Sequence, residues 1–454
     1  MYKIHFYGAA QEVTGSCFLL ESKNTKLLID CGLFQCPKFC DIRNEEYFPF
    51  DAKSINALIA THAHIDHIGR IPRLMNAGFA GKFFSTPATR DFARVMLLDS
   101  MGVLGKEARH ENKEALYKEK DVEDALEIWE TVEYHQEFVV GDFKIVLKDA
   151  GHILGSAIAE ISFKDDYGKT KKIVFTGDLG NPPVPLLRPT ENINDAHVLV
   201  IDSTYGDRLH EDKKERVLKL ERAVEDTIKK KGVLMIPAFS LERTQEIIFE
   251  LNNLVEQGMV PVVPFFLDSP LAIKATEIYK KYDRYYNKEA KYIISEGDEL
   301  FQFQGLKFTL KTEESKGIND VPAPKIIIAG SGMLNGGRIL HHARRYMSDS
   351  KSTILFVGHQ AAGSLGRVIQ DGAKEISIFG EKIPVLAKIS SIYGYSAHPD
   401  REQLFNFIQN TADSLEKIFT IHGEPKSLLF FVQSIRDNLG VNAIAPKYGD
   451  KFEI

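Results

Sequence analysis

The strongest chemical signal in the chain is a cluster of metal-binding residue types at positions 61–67, which read THAHIDH. His62 and His64 are one residue apart, so they point to the same side of an extended loop, and Asp66 and His67 can turn back to a second point. One short loop can therefore serve two cations. Imidazole and carboxylate without thiolate suit zinc, with iron or manganese also open, and a catalytic site keeps one position for water.

Two later segments offer further ligands of the same types. His152 lies in DAGHILGS after the apolar run FKIVLK, and Asp178 lies in TGD after the run KIVF. On its own, a histidine between glycines or a Gly-Asp pair is usually a structural turn. Their order after the histidine cluster makes both residues candidates to complete two metal sites.

Short strands are predicted to position these residues. The apolar runs KIHFYGAA, SCFLLES, KLLIDCG and ALIATHAH are each stopped by glycine, asparagine or a polar cluster, which indicates a β-meander leading into α/β structure. Residues 87–137 have apolar side chains at helical spacing, with Trp129 and Val132 in the pattern, and predict helices. Strands resume with FKIVLKDAGH, SAIAEISF, KKIVFTGD and HVLVIDSTYG, which end where loops could present side chains.

In the middle of the chain, apolar runs typical of buried strands alternate with segments typical of helices. VLMIPAF precedes LERTQEIIFELNNLV, PVVPFFL precedes PLAIKATEIYKKY, KIIIAG precedes ILHHARRYM, and TILFVG precedes GRVIQDG. Such alternation predicts a parallel sheet covered on both faces. We therefore expect a Rossmann-like domain at 207–388, inserted into a first domain made of 1–206 and 389–454.

Composition limits the classes of function. The 454 residues carry 57 basic and 63 acidic side chains, a net charge of -6, so the chain lacks the broad basic surface of a non-specific nucleic-acid binder. The start has no basic segment followed by an apolar one, and no apolar stretch is long enough for a membrane span. These features predict a soluble, cytoplasmic protein that does not bind membranes.

The four cysteines are too few for a disulfide framework. Cys31, Cys36 and Cys40 are spaced unlike any common zinc motif, so packing is favoured over metal binding for these residues and for Cys17.

Taken in order, the candidate ligands resemble the pattern of the metallo-β-lactamase superfamily. That pattern is an aspartate after an early strand, here Asp30, then the cluster at 61–67, a later histidine, a later aspartate and a final histidine, here His422 in the tripeptide HGE. The resemblance implies an α/β fold, the αββα sandwich of that superfamily. It also implies two zinc ions and assigns a role to each ligand: His62, His64 and His152 for one zinc, Asp66, His67 and His422 for the other, Asp178 as a bridge, and Asp30 to orient the cluster.

Two more motifs resemble those of one group within this superfamily. Asp202 ends a strand in VIDSTYG, and His398 lies in YSAHPD. With HGE they look like the three extra motifs of the β-CASP group, nucleases of this fold with an inserted α/β domain. PAFSLERTQEI, GSGMLNGGR and GHQAAGSLGR also resemble segments of that insertion. The sequence is most similar to single-module prokaryotic RNA-processing enzymes related to the nuclease subunit of the polyadenylation cleavage complex.

The resemblance implies hydrolysis of phosphodiester bonds. Two zinc ions would activate a water molecule and clamp the phosphate. His398 would be the general acid toward the 3′ oxygen, with Asp202 holding its charged form. Asp66, His398 and Asp202 are therefore the predicted catalytic residues.

GSGMLNGGR is the first candidate for contacting the phosphates of a nucleic acid. A glycine-rich turn that opens a helix leaves backbone N–H groups free for an anion. We expect Ser331, Gly332 and Arg338 from this segment, together with Arg367 from GSLGR, to contact RNA phosphates.

The sequence thus predicts a zinc-dependent ribonuclease that cleaves single-stranded RNA, as an endonuclease or a 5′-exonuclease, in a cleft between the two domains. A homodimer, or a place in an RNA-processing complex, is compatible with the resemblance. One alternative is a hydrolase of small esters or thioesters, which has no use for a long phosphate-binding insertion. A di-iron oxidoreductase typically has glutamate where His64 stands. A non-catalytic RNA-binding scaffold is disfavoured by the intact ligands.

Overall fold

A computed structural model describes residues 2–35, 40–211, 213–358, 360–361 and 363–454. The chain divides into two units. The first contains Met1–Val184, Arg188–Leu209 and His398–Ile454, and the second contains Pro185–Leu187 and His210–Ala397. The second unit is therefore an insertion between two parts of the first.

The first part of the first unit is rich in strands. Its strands are β1 (Lys3–Phe6), β2 (Phe18–Glu21), β3 (Lys26–Ile29), β4 (Ala57–Ile59), β5 (Lys82–Ser85), β6 (Trp129–Thr131), β7 (Glu137–Val140), β8 (Phe143–Asp149), β9 (Ala157–Lys164), β10 (Thr170–Phe175) and β11 (Val198–Asp202). Its helices are α1 (Cys40–Glu45), α2 (Ile65–Ile68), α3 (Ile71–Asn76), α4 (Pro87–His110) and α5 (Glu119–Glu127).

The second unit alternates helices and strands. Its helices are α6 (Lys213–Lys230), α7 (Arg243–Glu256), α8 (Pro270–Lys281), α9 (Lys288–Ser295), α10 (Thr312–Gly317), α11 (Ile339–Tyr346) and α12 (Leu365–Gln370). Its strands are β12 (Val233–Pro237), β13 (Phe265–Leu267), β14 (Leu306–Phe308), β15 (Lys325–Ala329), β16 (Thr353–Val357), β17 (Glu375–Ile378), β18 (Glu381–Pro384) and β19 (Lys388–Ile392).

The chain then returns to the first unit. This last part contains α13 (Arg401–Gln409), β20 (Lys417–Ile421), α14 (Pro425–Leu439), β21 (Asn442–Ile444) and β22 (Lys451–Glu453).

Two seven-stranded sheets pack face to face in the first unit. Their orders are β22-β1-β2-β3-β4-β5-β6 and β21-β20-β11-β10-β9-β8-β7. Alternating apolar residues fill the space between them, and the rings of Phe6 and Phe419 meet there at 5.0 Å. Helices α13 and α14 cover the outer face of the second sheet through Leu404 and Phe431, while α4 contacts β6 of the first sheet. This is the helix-flanked sandwich that the resemblance to the metallo-β-lactamase superfamily implies.

The second unit contains a parallel six-stranded sheet, in the order β14-β13-β15-β12-β16-β19. Strands β12, β15 and β16 are buried along their whole length, as expected for a sheet covered on both faces. The α/β insertion predicted from the alternating pattern is therefore present.

Two details differ from the sequence-based expectations. The helical pattern predicted through Val132 ends at Glu127, because Trp129–Thr131 pairs in parallel with β5 as strand β6. The second unit extends past the predicted boundary at residue 388 to Ala397, because β19 pairs with β16 in its sheet. In both places, the structure is decided by pairing with another strand, and local periodicity in the sequence does not reveal that pairing.

Cys17 and Cys31 are free and buried, as the packing interpretation expects. Cys36 lies outside the described residues, as does the side chain of Cys40. Among the described helices, none combines the length and the apolar character that crossing a membrane requires.

Candidate metal centre

The ends of strands in the first unit position the candidate ligands. The cluster at 61–67 follows β4, His152 follows β8, and Asp178 follows β10. Asp202 is the last residue of β11, and His422 comes directly after β20. Strands β10, β11 and β20 are parallel neighbours, so their carboxyl ends lie along one edge of the second sheet.

Four side chains form the first group that could hold a metal ion. His62, His64, His152 and Asp178 each offer one ligand atom, and these atoms all lie within 4.8 Å of one another. The Nδ1 atom of His64 lies 3.0 Å from His62 Nε2 and 3.3 Å from His152 Nε2. The Oδ2 atom of Asp178 lies 3.5 and 3.6 Å from the same two Nε2 atoms.

Asp66, His67 and His422 form a second such group. The Oδ2 atom of Asp66 lies 3.2 Å from His422 Nε2 and 3.9 Å from His67 Nε2. On the other side of His67, its Nε2 atom lies 3.3 Å from Oδ1 of Asp178. Asp178 therefore lies between the two groups, with one carboxylate oxygen toward each.

Two observations show that these residues fit metal ions. The Oδ1 atom of Asp178 is buried, and no described group donates a hydrogen bond of ordinary geometry to it. Burial lowers the pKa of His62 and His152 well below the ordinary range and that of His64 to about 4. Their rings are thus neutral at pH 7, with nitrogen lone pairs available. Neutral imidazole and carboxylate are donors for zinc, iron or manganese.

The second group differs in its protonation. Burial, the largest single influence, lowers the pKa of His67 and His422, but their acidic partners together outweigh it: Asp178 and Asp30 at His67, and Asp178 and Asp66 at His422. The pKa of His67 is raised well above its ordinary value and that of His422 to about 9. A cation that binds here must displace these protons, since only deprotonated imidazole binds a metal.

Asp30 fixes the orientation of His67. Its buried carboxylate accepts hydrogen bonds from the backbone N–H and hydroxyl of Thr61, at 2.7 and 2.8 Å, and its Oδ2 atom lies 2.7 Å from His67 Nδ1. This contact leaves Nε2 of His67 directed toward the ligand groups. Asp30 and His422 both have a left-handed backbone, with φ of 59° and 55°. Non-glycine residues adopt this conformation at some cost, often at functional sites.

His398 and Asp202 lie beside these groups. The Nδ1 atom of His398 lies 2.8 Å from Asp202 Oδ2, and its Nε2 atom lies 4.0 Å from Asp178 Oδ2. Burial by itself lowers the pKa of His398, but the charge and hydrogen bond of Asp202 raise it above its ordinary value. His398 comes just before α13, whose first turn is closed by a hydrogen bond of 3.0 Å from Gln403 N–H to Asp400 Oδ1.

Sequence reasoning missed two hydroxyls at this centre. Thr204 Oγ1 donates to Asp202 Oδ1 at 2.7 Å and lies 3.1 Å from His422 Nδ1, so it links these two residues. Ser16 Oγ lies 3.3 Å from His67 Nε2. A hydroxyl two residues after an acidic strand end could have indicated Thr204. No local pattern points to Ser16, which is 51 residues from its partner.

The four residues predicted to contact RNA lie in the second unit. Ser331 accepts hydrogen bonds from the N–H groups of residues 335 and 336 and so shapes the turn of which Gly332 is a part. Arg338 bonds internally to Asp268 Oδ1 at 2.8 Å and to two backbone carbonyls. Arg367 forms an exposed pair with an aspartate four residues later. Their contact with RNA stays a prediction.

Three family descriptions match successive parts of the chain. Residues 10–230 match the metallo-beta-lactamase superfamily, residues 244–369 match the Beta-Casp domain, and residues 382–446 match the Zn-dependent metallo-hydrolase RNA specificity domain. Together they extend over both units described above.

Several curated proteins are similar to the chain over most of its length. Ribonuclease TTHA0252 of Thermus thermophilus is 35% identical over 428 residues, which are 93% of each chain. An RNase J-like protein of Methanocaldococcus jannaschii is 32% identical over 453 residues, which are 99% of this chain and 99% of that protein. Transcription termination factor FttA of the same organism is 33% identical over 96% of this chain and 69% of its own length.

A solved structure shows the same fold at low sequence identity. It is the crystal structure of a protein of unknown function from Enterococcus faecalis, with a TM-score of 0.58, 12% identity and full coverage of both chains. The matches to family descriptions and to full-length relatives agree with the two units and with the grouped histidines and aspartates. The chain belongs to the β-CASP ribonucleases, a family of metal-dependent hydrolases within the metallo-β-lactamase superfamily.

Proposed function

We propose that this protein cleaves single-stranded RNA by hydrolysis at the centre described above, with two zinc ions bound. The observation that carries the proposal is the pair His398–Asp202, which lies beside the two ligand groups, with Asp178 between them. Breaking a phosphodiester bond requires a proton donor for the leaving oxygen as well as an activated water molecule. This pair supplies the donor.

We assign the ligands as the family resemblance implies. His62, His64 and His152 would hold one ion, Asp66, His67 and His422 would hold the second, and Asp178, which lies between the two sets, would serve both. When bound, two divalent cations lower the pKa of a water molecule and offset negative charge on the phosphate oxygens. Zinc is favoured over manganese and iron because five imidazoles dominate the set.

His398 acts as the general acid in this proposal. Its Nδ1–H donates to Asp202, so the ring can carry a second proton on Nε2. Since Asp202 raises the pKa of His398, the charged ring persists toward neutral pH. Its Nε2 proton can then pass to the 3′ oxygen that leaves when the bond breaks.

Three findings support RNA as the substrate. A domain described by its RNA specificity matches residues 382–446, and a relative similar over 93% of the chain is a ribonuclease. The turn at Ser331 and Gly332 presents a glycine-rich backbone suited to phosphate oxygens. Cytoplasmic location and assembly, as a homodimer or within an RNA-processing complex, stay predictions.

A substrate panel tests this proposal. The protein, first stripped of metal and then reloaded with zinc, manganese or iron, is incubated with single-stranded RNA, with single-stranded DNA and with small ester and thioester substrates. We expect RNA cleavage that needs added metal and is fastest with zinc. Hydrolysis of the esters with intact RNA would instead indicate a small-molecule hydrolase. Fully occupied metal sites with no turnover of any substrate would indicate an RNA-binding scaffold.

A further inference from the structure

Phe239 is an exposed aromatic residue at the carboxyl edge of the parallel sheet in the second unit. It lies two residues after the end of β12, and 45% of its surface is exposed, although the nearby residues Ala238 and Leu241 are buried. An exposed phenylalanine in a buried stretch is not explained by packing of the core.

The position of Phe239 in the sheet topology is one where ligands bind. Strands β15 and β12 are neighbours in the middle of the sheet. After β12 the chain passes through α7 to β13, which lies on the far side of β15. After β15 it passes through α11 to β16, which lies on the far side of β12. Since crossovers between parallel strands are right-handed, these two connections leave toward opposite faces of the sheet. They therefore open a crevice at the carboxyl ends of β12 and β15, the usual ligand site of α/β sheets.

The helices agree with this topology. The apolar cluster on one face of the sheet contains Ile339 and Ala343 of α11, and among the described residues it contains none of α7.

The backbone and the ring of Phe239 are both held in place. Its carbonyl oxygen accepts hydrogen bonds from the N–H and the hydroxyl of Thr244, at 3.2 and 2.7 Å. The ring packs directly on Gly332 of the turn after β15, where an added Cβ would lie 2.8 Å from the nearest ring carbon. The carbonyl of Gly332 is fixed in turn by Gln360 Nε2 at 3.0 Å. A ring fixed in advance loses little entropy when a ligand binds.

Hydroxyl groups lie at the turn on which this ring packs. The Oγ atoms of Ser269 and Ser240 lie 3.5 and 3.7 Å from the point where a Cβ on Gly330 would stand, and Ser331 belongs to the same turn. The crevice therefore combines an aromatic ring with polar groups suited to sugar and phosphate oxygens.

We propose that Phe239 stacks on a nucleobase of the RNA, which makes this crevice a base-binding subsite of the inserted domain. The inference rests on the proposed ribonuclease function. Single-stranded RNA is commonly held by stacking on aromatic side chains, which tolerates any sequence because every base has a π-face. With a net charge of -6, the chain needs such contacts besides electrostatic ones.

The test compares three substitutions of Phe239 with a control. Phe239→Ala removes the ring, Phe239→Leu keeps apolar volume without a π-face, and Phe239→Tyr keeps the ring. Tyr292→Ala removes another exposed aromatic residue of the same unit, on α9. Cleavage of a short single-stranded RNA gives KM and kcat, and RNA with 2-aminopurine at successive positions reports stacking by quenching of its fluorescence.

We expect the alanine and leucine variants to raise KM roughly 5- to 150-fold, the range that loss of one base–aromatic stack produces, with kcat unchanged. Both variants should also lose the quenching at one RNA position. Phe239→Tyr and Tyr292→Ala should behave like the wild type. If the alanine variant does not fold, the leucine and tyrosine variants still separate stacking from apolar burial.

Two results would overturn the inference, and they are distinguishable. Wild-type KM and quenching in the alanine and leucine variants, while RNA is cleaved normally, would remove Phe239 from RNA binding and leave the ribonuclease function intact. Failure of the wild-type protein itself to bind or cleave RNA would refute the proposed function and this inference with it.

Discussion

His398 depends mainly on one carboxylate for the protonation state that a general acid needs. Burial disfavours its charged form, and the charge and hydrogen bond of Asp202, 2.8 Å away, together with the charge of Asp178, reverse that effect. A general acid must be protonated, so activity is lost as pH rises through its pKa. In the proposed mechanism, the raised pKa of His398 should therefore extend activity toward higher pH.

Replacing Asp202 by asparagine tests this dependence. Asp202→Asn keeps the shape of the side chain but removes its charge, so burial should lower the pKa of His398. We expect the alkaline limb of the pH–rate profile to move to lower pH and the rate at neutral pH to fall by about 10²-fold, the lower range for loss of general acid catalysis. An alkaline limb at the wild-type position would show that Asp202 does not set the protonation of His398.

The contact between Asp30 and His67 leads to a prediction about metal affinity. Asp30→Asn weakens the hydrogen bond that orients the His67 ring, and we expect zinc affinity to drop about 10- to 100-fold, as for other residues that orient metal ligands. Competition with a chromogenic chelator measures the zinc affinity of each variant. Asp413→Asn, which changes an exposed aspartate of the same unit, is the control and should keep wild-type affinity. Equal affinity in both variants would contradict the assigned role of Asp30.

Thr204 shows the limit of prediction for single residues. The aspartates and the histidines of this centre belong to recognisable motifs, so their grouping is expected from the sequence. The hydroxyl of Thr204 contacts His422, 218 residues away in the chain, and that contact depends on the pairing of β11 with β20. Such contacts follow only from the folded structure.

At the scale of elements, the segment 61–67, whose last three residues begin helix α2, packs against the turn after β3. A Cβ added to Gly32 would lie only 1.5 Å from the carbonyl oxygen of Asp66. This close approach brings a ligand-bearing loop onto the neighbouring strand end, and any side chain at residue 32 would push the two apart.

Gly32→Ala should therefore damage both the fold and the site. We expect the free energy of unfolding to fall by about 1–3 kcal/mol or more through overpacking, with reduced zinc content after dialysis. Gly102→Ala is a matched control, because Gly102 lies inside α4 with open space around it. That change should stabilise the protein by about 0.5–1 kcal/mol. Chemical denaturation measures the free energy of unfolding of both variants. A Gly32→Ala variant as stable as the wild type would contradict the packing described.

Most elements that position the centre are predictable from the sequence. Apolar runs that end in glycine or polar residues correctly mark β3, β4, β8, β10 and β11, because buried strands have a strong local pattern. Strand β6 is missed, since its three residues continue a helical spacing and are held by pairing with β5. The internal bonding of Arg338 to Asp268, 70 residues away, is likewise invisible in the sequence.

At the scale of the whole molecule, the first unit gathers seven buried or half-buried histidines and aspartates into its two ligand groups, in a chain whose net charge is negative. Such a centre couples metal binding to pH. Without a bound cation, His67 and His422 are protonated at pH 7, because the pKa of each is raised.

Zinc binding should therefore release protons. We expect His67 and His422 each to release a proton on binding at pH 7, and the apparent zinc affinity to rise with pH at least up to about 9, the pKa of His422. Calorimetric titrations in buffers of different ionisation enthalpy measure the number of protons released. The thermal midpoint should also rise when zinc is added, since the ion binds the folded state. Zinc affinity independent of pH between 6 and 8 would contradict these protonation states.

The most direct test of the proposed function is a time course on denaturing gels. Single-stranded RNA labelled at its 5′ end is incubated with zinc-loaded wild type, with His398→Ala, and with His135→Ala, which changes an exposed histidine of the same unit. We expect the wild type and His135→Ala to cut the RNA, with internal fragments or released mononucleotides showing the mode of attack, and His398→Ala to be slower by about 10²–10⁴-fold. Cleavage by His398→Ala at the wild-type rate, or intact RNA with fully zinc-loaded wild type, would contradict the mechanism proposed for this centre.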